Sequence, residues 1–170
     1  FAVTAAIAAL PKLTLASVLK NSREDAKMKV LLVNGSPHEK GCTFTALSEI
    51  AAQLEKEGVD AEIFNIGVQP TMPCMACRAC KKLGKCVIDD KVNEFVAKAD
   101  SFDGFVFGSP VHYASASGVI VPFMDRVFYS AAPEVFRLKP AAAVASARRA
   151  GTTATLDQLK SFRQLGSRCA

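Results

Sequence analysis

Three short stretches of this 170-residue chain are apolar at nearly every position: Lys29-Val-Leu-Leu-Val-Asn, Gly104-Phe-Val-Phe-Gly-Ser and Ala141 to Ala145. A strand apolar on both faces needs cover on both faces, which is the condition of a parallel sheet between helical layers. A further stretch, residues 60–65, alternates instead and puts Ala61, Ile63 and Asn65 on one face. Helical spacing fills the intervals. Phe44, Leu47, Ile50, Ala51 and Leu54 recur through 43–57, and Gly58 suits the end of that helix. Asp89-Asp90 can start a helix over 90–99 with Val92, Phe95 and Val96 inward. Residues 117–130 form the next, with Pro122 as a local breaker near its start, and Thr152 to Phe162 the last. Strands alternating with helices predict an α/β, doubly wound parallel sheet.

Half of the residues are hydrophobic and 22% are charged, which excludes a disordered chain. This length buries a core without disulfide staples, so the six cysteines call for another explanation. No apolar run reaches the roughly 18 residues of a membrane span. The net charge of +5 is modest for a nucleic-acid binder. Much of it sits after residue 136, where seven Lys/Arg face one acid, Asp157. Few aromatics interleave those cations, only Phe136 and Phe162, so no nucleic-acid partner is expected.

The two ends read differently from the middle. Residues 1–19 are Ala-rich and apolar, like the later part of an export signal or like an amphipathic first helix, and 20–27 form a charged linker. Export by a twin-arginine-type route follows from the first reading, and a cytoplasmic protein follows if Met28 is the start. The globular pattern is expected over 28–160, with 161–170 an atypical tail.

In such sheets ligands bind beyond the carboxyl ends of the strands. Three loops there are rich in small and hydroxyl residues: Asn34 to Thr43, Gly108 to Gly118, and Ser146 to Thr153. The first enters a helix N-terminus and can cradle a phosphate or be a plain helix start. It is neither a Walker A loop nor G-x-G-x-x-G. The second sets His112 and Tyr113 among small residues, and the third adds Arg148 and Arg149.

Cys74, Cys77, Cys80 and Cys86 are spaced C-x2-C-x2-C-x5-C. Compact runs of four thiolates commonly hold iron–sulfur clusters, whereas zinc ligands more often split into separated pairs. Redox thiols favoured by Arg78, Lys81, Lys82 and Lys85 are an alternative, as are a cluster-free loop, a zinc site and a disulfide. Cys42 and Cys169 lie outside this spacing.

The strand-loop motifs Lys29 to His38, Gly41-Cys-Thr, Gly108-Ser-Pro-Val-His-Tyr and Ser146 to Thr153 resemble the flavodoxin-like NAD(P)H-dependent FMN reductases, in their iron–sulfur flavoprotein branch. The resemblance covers about residues 28–160. It implies that Ser36, His38, Cys42 and Thr43 hold the FMN phosphate, although members often carry Arg and Asn where His38 and Cys42 stand. It implies that Pro110, Val111, His112 and Tyr113 contact the isoalloxazine, and that Ser146 and Gly151 approach its other edge. It also implies a [4Fe–4S] cluster on Cys74, Cys77, Cys80 and Cys86. The activity it implies is an oxidoreductase taking electrons from NAD(P)H or ferredoxin, with no catalytic triad. A non-catalytic flavin and iron–sulfur electron carrier, or an inactive truncated fragment, are the other readings. The expected partners are small-molecule or protein electron donors and acceptors, and a homo-oligomer is among the assemblies it allows. Against that family pattern, the last strand and helix of the sheet are expected to be missing.

Overall fold

The computed structural model describes residues 27–161 and 168–169. The signal-like stretch 1–19 lies outside the described residues, as do the linker up to residue 26 and most of the tail.

Strand β1 (Lys29–Asn34) is followed by helix α1 (Cys42–Lys56) and strand β2 (Asp60–Asn65). The cysteine segment contains one short helix, α2 (Cys80–Leu83), and leads into α3 (Lys91–Ala99). Strand β3 (Gly104–His112) pairs with a short antiparallel strand, β4 (Ser115–Ala116). Helix α4 (Ile120–Ser130), strand β5 (Pro140–Ser146), helix α5 (Thr152–Leu159) and a two-residue strand β6 (Arg168–Cys169) complete the order. The parallel strands run β2-β1-β3-β5-β6. This is the doubly wound arrangement expected from the alternating pattern.

Side-chain alternation explains the two cores. Leu31 and Val33 of β1 face the layer that holds α3 and α4, together with Phe64, Phe95, Phe105, Phe107 and Phe123. Leu32, between them, faces the other way and meets Leu47 of α1 and Val106. Ala61 and Ile63 pack on that second cluster, as the alternation of 60–65 predicts. The larger core is aromatic, with ring centroids of Phe95 and Phe123 5.2 Å apart and those of Phe105 and Phe136 4.9 Å apart. The first pair is edge-on, at 70° between planes, a geometry that adds about 0.5–1.5 kcal/mol beyond area burial.

Local signals set the boundaries. Gly58 follows α1 at φ 80°, a left-handed turn. The Asp90 carboxylate accepts from the Val92 N–H at 3.0 Å and caps α3. Pro122 is the third residue of α4, in the first turn where no intrahelical N–H is needed from it, so the helix begins at Ile120, near this proline, rather than at 117.

Two expectations are corrected. The sheet does have a fifth position: β6 pairs parallel with β5, Pro140 opposite Arg168 and Ala141 opposite Cys169. Backbone pairing this short needs no hydrophobic run, so no periodicity announced it. Among the described residues no helix follows β6. Secondly, the strand expected to stop at Ser109 continues to His112 and turns back as a hairpin. Pro110 is tolerated because β1 pairs with β3 only as far as Gly108.

Candidate functional site

The register brings the three expected loops to one edge. Asn34 pairs with Gly108, and Pro110 pairs with Ser146, so β1, β3 and β5 end side by side. Gly35 continues from β1 and its N–H donates to the Gly108 carbonyl at 2.8 Å. A Cβ on Gly35 would stand 2.5 Å from Ile120 Cδ1 and 2.8 Å from that carbonyl, so only glycine fits.

The first loop is held by its own polar groups. Asn34 is fully buried, and its amide donates to Asn65 Oδ1 at 2.8 Å. Its Oδ1 accepts from the Ser36 N–H at 3.2 Å, and Ser36 Oγ accepts from the His38 N–H at 3.1 Å. Cys42 is exposed at the first position of α1, and Gly41 before it offers no side-chain cap. The first turn of α1 carries no acid. This helix start therefore presents free N–H groups and the positive end of its dipole, which suits a phosphate. Thr43 is buried, and its hydroxyl lies 2.7 Å from that of Ser146. Those two expected site residues thus meet directly.

The second loop is the β3–β4 hairpin. Tyr113 and Ala114 form its turn with φ of 50° and 64°, the left-handed pair that a tight hairpin needs. Tyr113 is wholly exposed, at 105%, and His112 is exposed beside it. Gln158 of α5 anchors the hairpin by accepting from Ser115 Oγ and from the Ala116 N–H, at 2.9 and 2.8 Å. Gly151, at φ 97°, packs against it, where a Cβ would come within 2.7 Å of Ala114 Cα and of Val111 Cγ1. Ser109 and Ser117, part of the expected second loop but not among its expected site residues, tie the hairpin base to the first loop. Ser109 Oγ accepts from the Ser117 N–H at 3.0 Å, and Ser117 Oγ donates to the Gly35 carbonyl at 2.5 Å. Arg148 and Arg149 are exposed.

The four regularly spaced cysteines gather elsewhere. Cys74, Cys77, Cys80 and Cys86 all line one cavity of about 330 Å3, closed on one side by Arg126, Tyr129 and Ser130 of α4. Left-handed residues Ala76 and Arg78, at φ 53° and 59°, curl the loop between the first three. Each such residue costs about 1–2 kcal/mol. Among the described residues no three His, Cys, Asp or Glu side chains converge closely enough to hold a metal ion. The donor set nevertheless suits an anionic, sulfur-ligated group: four thiols, the cations Arg78, Lys81 and Arg126, and no carboxylate in the lining. Ser130 is nine-tenths buried there, and its hydroxyl has no partner.

Arg126 is the residue sequence reasoning missed. It is 1% exposed. Its Nε and Nη2 each donate to Cys86 Sγ at 3.3 Å, and Nη1 and Nη2 donate to the Asp90 carboxylate at 2.5 and 2.9 Å. Nη2 also donates to the Ile88 carbonyl at 3.0 Å. Burial opposes the guanidinium charge, but the hydrogen bonds to Asp90 and Cys86 outweigh it and hold the pKa above its ordinary value. Asp90 thus caps α3 and also fixes this arginine. The one available signal was an arginine between Phe123 and Ser130 on an otherwise inward helix face.

No helix among the described residues is long and apolar enough to cross a membrane. Residues 28–168 match the model of the family described as NADPH-dependent FMN reductase. An iron–sulfur flavoprotein of Methanocaldococcus jannaschii is 33% identical over 137 residues, covering 79% of this chain and 71% of that protein. An iron–sulfur flavoprotein of Clostridioides difficile is 30% identical over 138 residues, covering 79% of this chain but 61% of that one. The solved structure of a flavodoxin from the domain Archaea has a TM-score of 0.55 at 16% identity, covering 84% of this chain and 78% of that one.

Proposed function

Because the chain belongs to the NADPH-dependent FMN reductase family, we propose that it is an FMN-dependent oxidoreductase fed by NAD(P)H or ferredoxin, with a [4Fe–4S] cluster as a second redox group. The observation that carries the flavin reading is the convergence of the three strand-end loops, sealed by the Thr43–Ser146 contact. Bound FMN supplies the redox chemistry, accepting a hydride and passing electrons on. The chain's residues bind and orient. Ser36, His38, Cys42, Thr43 and the uncapped start of α1 hold the phosphate. Pro110, Val111, His112 and Tyr113 meet one side of the ring system, and Ser146 and Gly151 its other edge. Cys74, Cys77, Cys80 and Cys86 hold the cluster, which the loop must draw inward to bind, since the thiols do not converge unaided.

Helix α4 runs from the flavin edge, where Ile120 touches Gly35, to the cysteine cavity at Ser130. Its length over that interval is about 15 Å. Both sites are therefore built on one rigid element.

A second reading is a non-catalytic electron carrier. It is favoured by the exposed apolar side chains Met72, Met75, Leu83 and Val87 near the cysteine loop, which suit a protein partner. Steady oxidation of NADH or NADPH with a quinone or ferric acceptor separates the two. Turnover with nicotinamide alone supports the enzyme. Flavin reduction that requires a protein donor supports the carrier.

A further inference from the structure

Hydrogen bonds to ligating sulfur stabilise the reduced, more negative form of an iron–sulfur group and so raise its reduction potential. The cysteine cavity contains a buried donor set of this kind on one helix. Arg126 aims two N–H groups at Cys86 Sγ, both at 3.3 Å. Ser130, four residues later on the same face, adds a buried hydroxyl without a partner. The Asp90 carboxylate and the Ile88 carbonyl hold the guanidinium in place. Such a fork cannot be replaced by lysine, which has one point charge and no planar pair of donors.

We infer that Arg126, assisted by Ser130, is the positioning residue of the cysteine site: it fixes Cys86 for ligation and raises the potential of the group held there. This rests on the cluster reading above. The surroundings fit the role. Asn93 braces the Cys86 backbone from both sides, its Oδ1 accepting from the Cys86 N–H and its Nδ2 donating to the Cys86 carbonyl, each at 3.0 Å. Cys86 is thus fixed through backbone and sulfur alike, whereas Cys74 and Cys77 lie exposed on the curled loop.

The test uses the full chain, reconstituted anaerobically with ferrous iron, sulfide and FMN. Iron content, flavin content and the midpoint potential from a spectroscopic redox titration are read for wild type, Arg126→Lys and Ser130→Ala. The expected result is retained FMN, a potential shifted downward in both variants and more in Arg126→Lys, and faster loss of iron from Arg126→Lys on dilution. Where Arg126→Lys does not retain FMN, Arg126→Met takes its place, since it removes both donors to Cys86 and leaves only the part-exposed Asp90 carboxylate unpaired. Variants that keep their iron at an unchanged potential overturn the inference alone. A wild-type chain that binds FMN but takes up no iron overturns the cluster reading and this inference together.

Discussion

Thr43 and Ser146 stand 103 positions apart in sequence, yet their hydroxyls meet at 2.7 Å. One lies in the first turn of α1 and the other ends β5, so this contact joins the first and third loops of the sheet edge. Thr43→Val keeps the shape of a buried side chain and removes its hydroxyl. A hydrogen bond of this kind is worth about 1 kcal/mol, or roughly fivefold in affinity. Urea unfolding of the apoprotein should show a loss of about 1 kcal/mol, and FMN titration by fluorescence quenching should show binding weaker by up to about fivefold. Unaltered affinity would count against a phosphate role for Thr43.

Arg126 and Asp90 are unequal partners. Arg126 is 1% exposed, while the Asp90 side chain keeps 31% of its surface in solvent. Removing Asp90 strands a buried cation and also uncaps α3. Removing Arg126 leaves a carboxylate that water can reach. Asp90→Ala should therefore cost about 3–5 kcal/mol and Arg126→Met distinctly less. Urea unfolding of both variants checks the order. Equal losses, or the reverse order, would show that the pair is not buried as described.

The hairpin tip stores backbone strain. Tyr113 and Ala114 occupy left-handed conformations that asparagine and glycine adopt more readily. The double substitution Tyr113→Asn with Ala114→Gly should stabilise the apoprotein by about 1–2 kcal/mol. If Tyr113 lies against the flavin ring, the same variant binds FMN more weakly. A variant with lower melting temperature would refute the turn geometry, and one with unchanged FMN affinity would remove Tyr113 from the ring site.

Gly151 answers to two constraints at once. Its φ of 97° disfavours any side chain, and a Cβ would collide with Ala114 of the hairpin. Gly151→Ala should cost about 1–3 kcal/mol from strain alone. It should also shift the hairpin and weaken FMN binding. Calorimetry with and without FMN measures both effects, and a variant matching wild type in each would show that the hairpin does not pack there.

The sheet was legible in the sequence because β1, β3 and β5 are apolar on both faces, a pattern few other folds require. The loops were legible because the doubly wound topology places strand ends together: Thr43 meets Ser146, and Gly151 meets Val111 and Ala114 of the hairpin. The hairpin was obscured by Tyr113 and Ala114, which occupy turn positions where glycine or asparagine is the usual signal. Strand β6 was obscured because two residues carry no period. Arg126 was hidden for a different reason. Its partners Cys86 and Asp90 lie 40 and 36 positions away, and only the packing of α4 against α3 and the cysteine loop brings them within reach.

The most direct measurement is an absorbance spectrum of the anaerobically purified full chain, with FMN and iron quantified on the same sample. The expected result is flavin bands over a broad iron–sulfur absorption, with Cys80→Ser losing the second and keeping the first. A folded, colourless protein that takes up neither FMN nor iron would contradict both sites, and a yellow protein without iron would contradict the cysteine site.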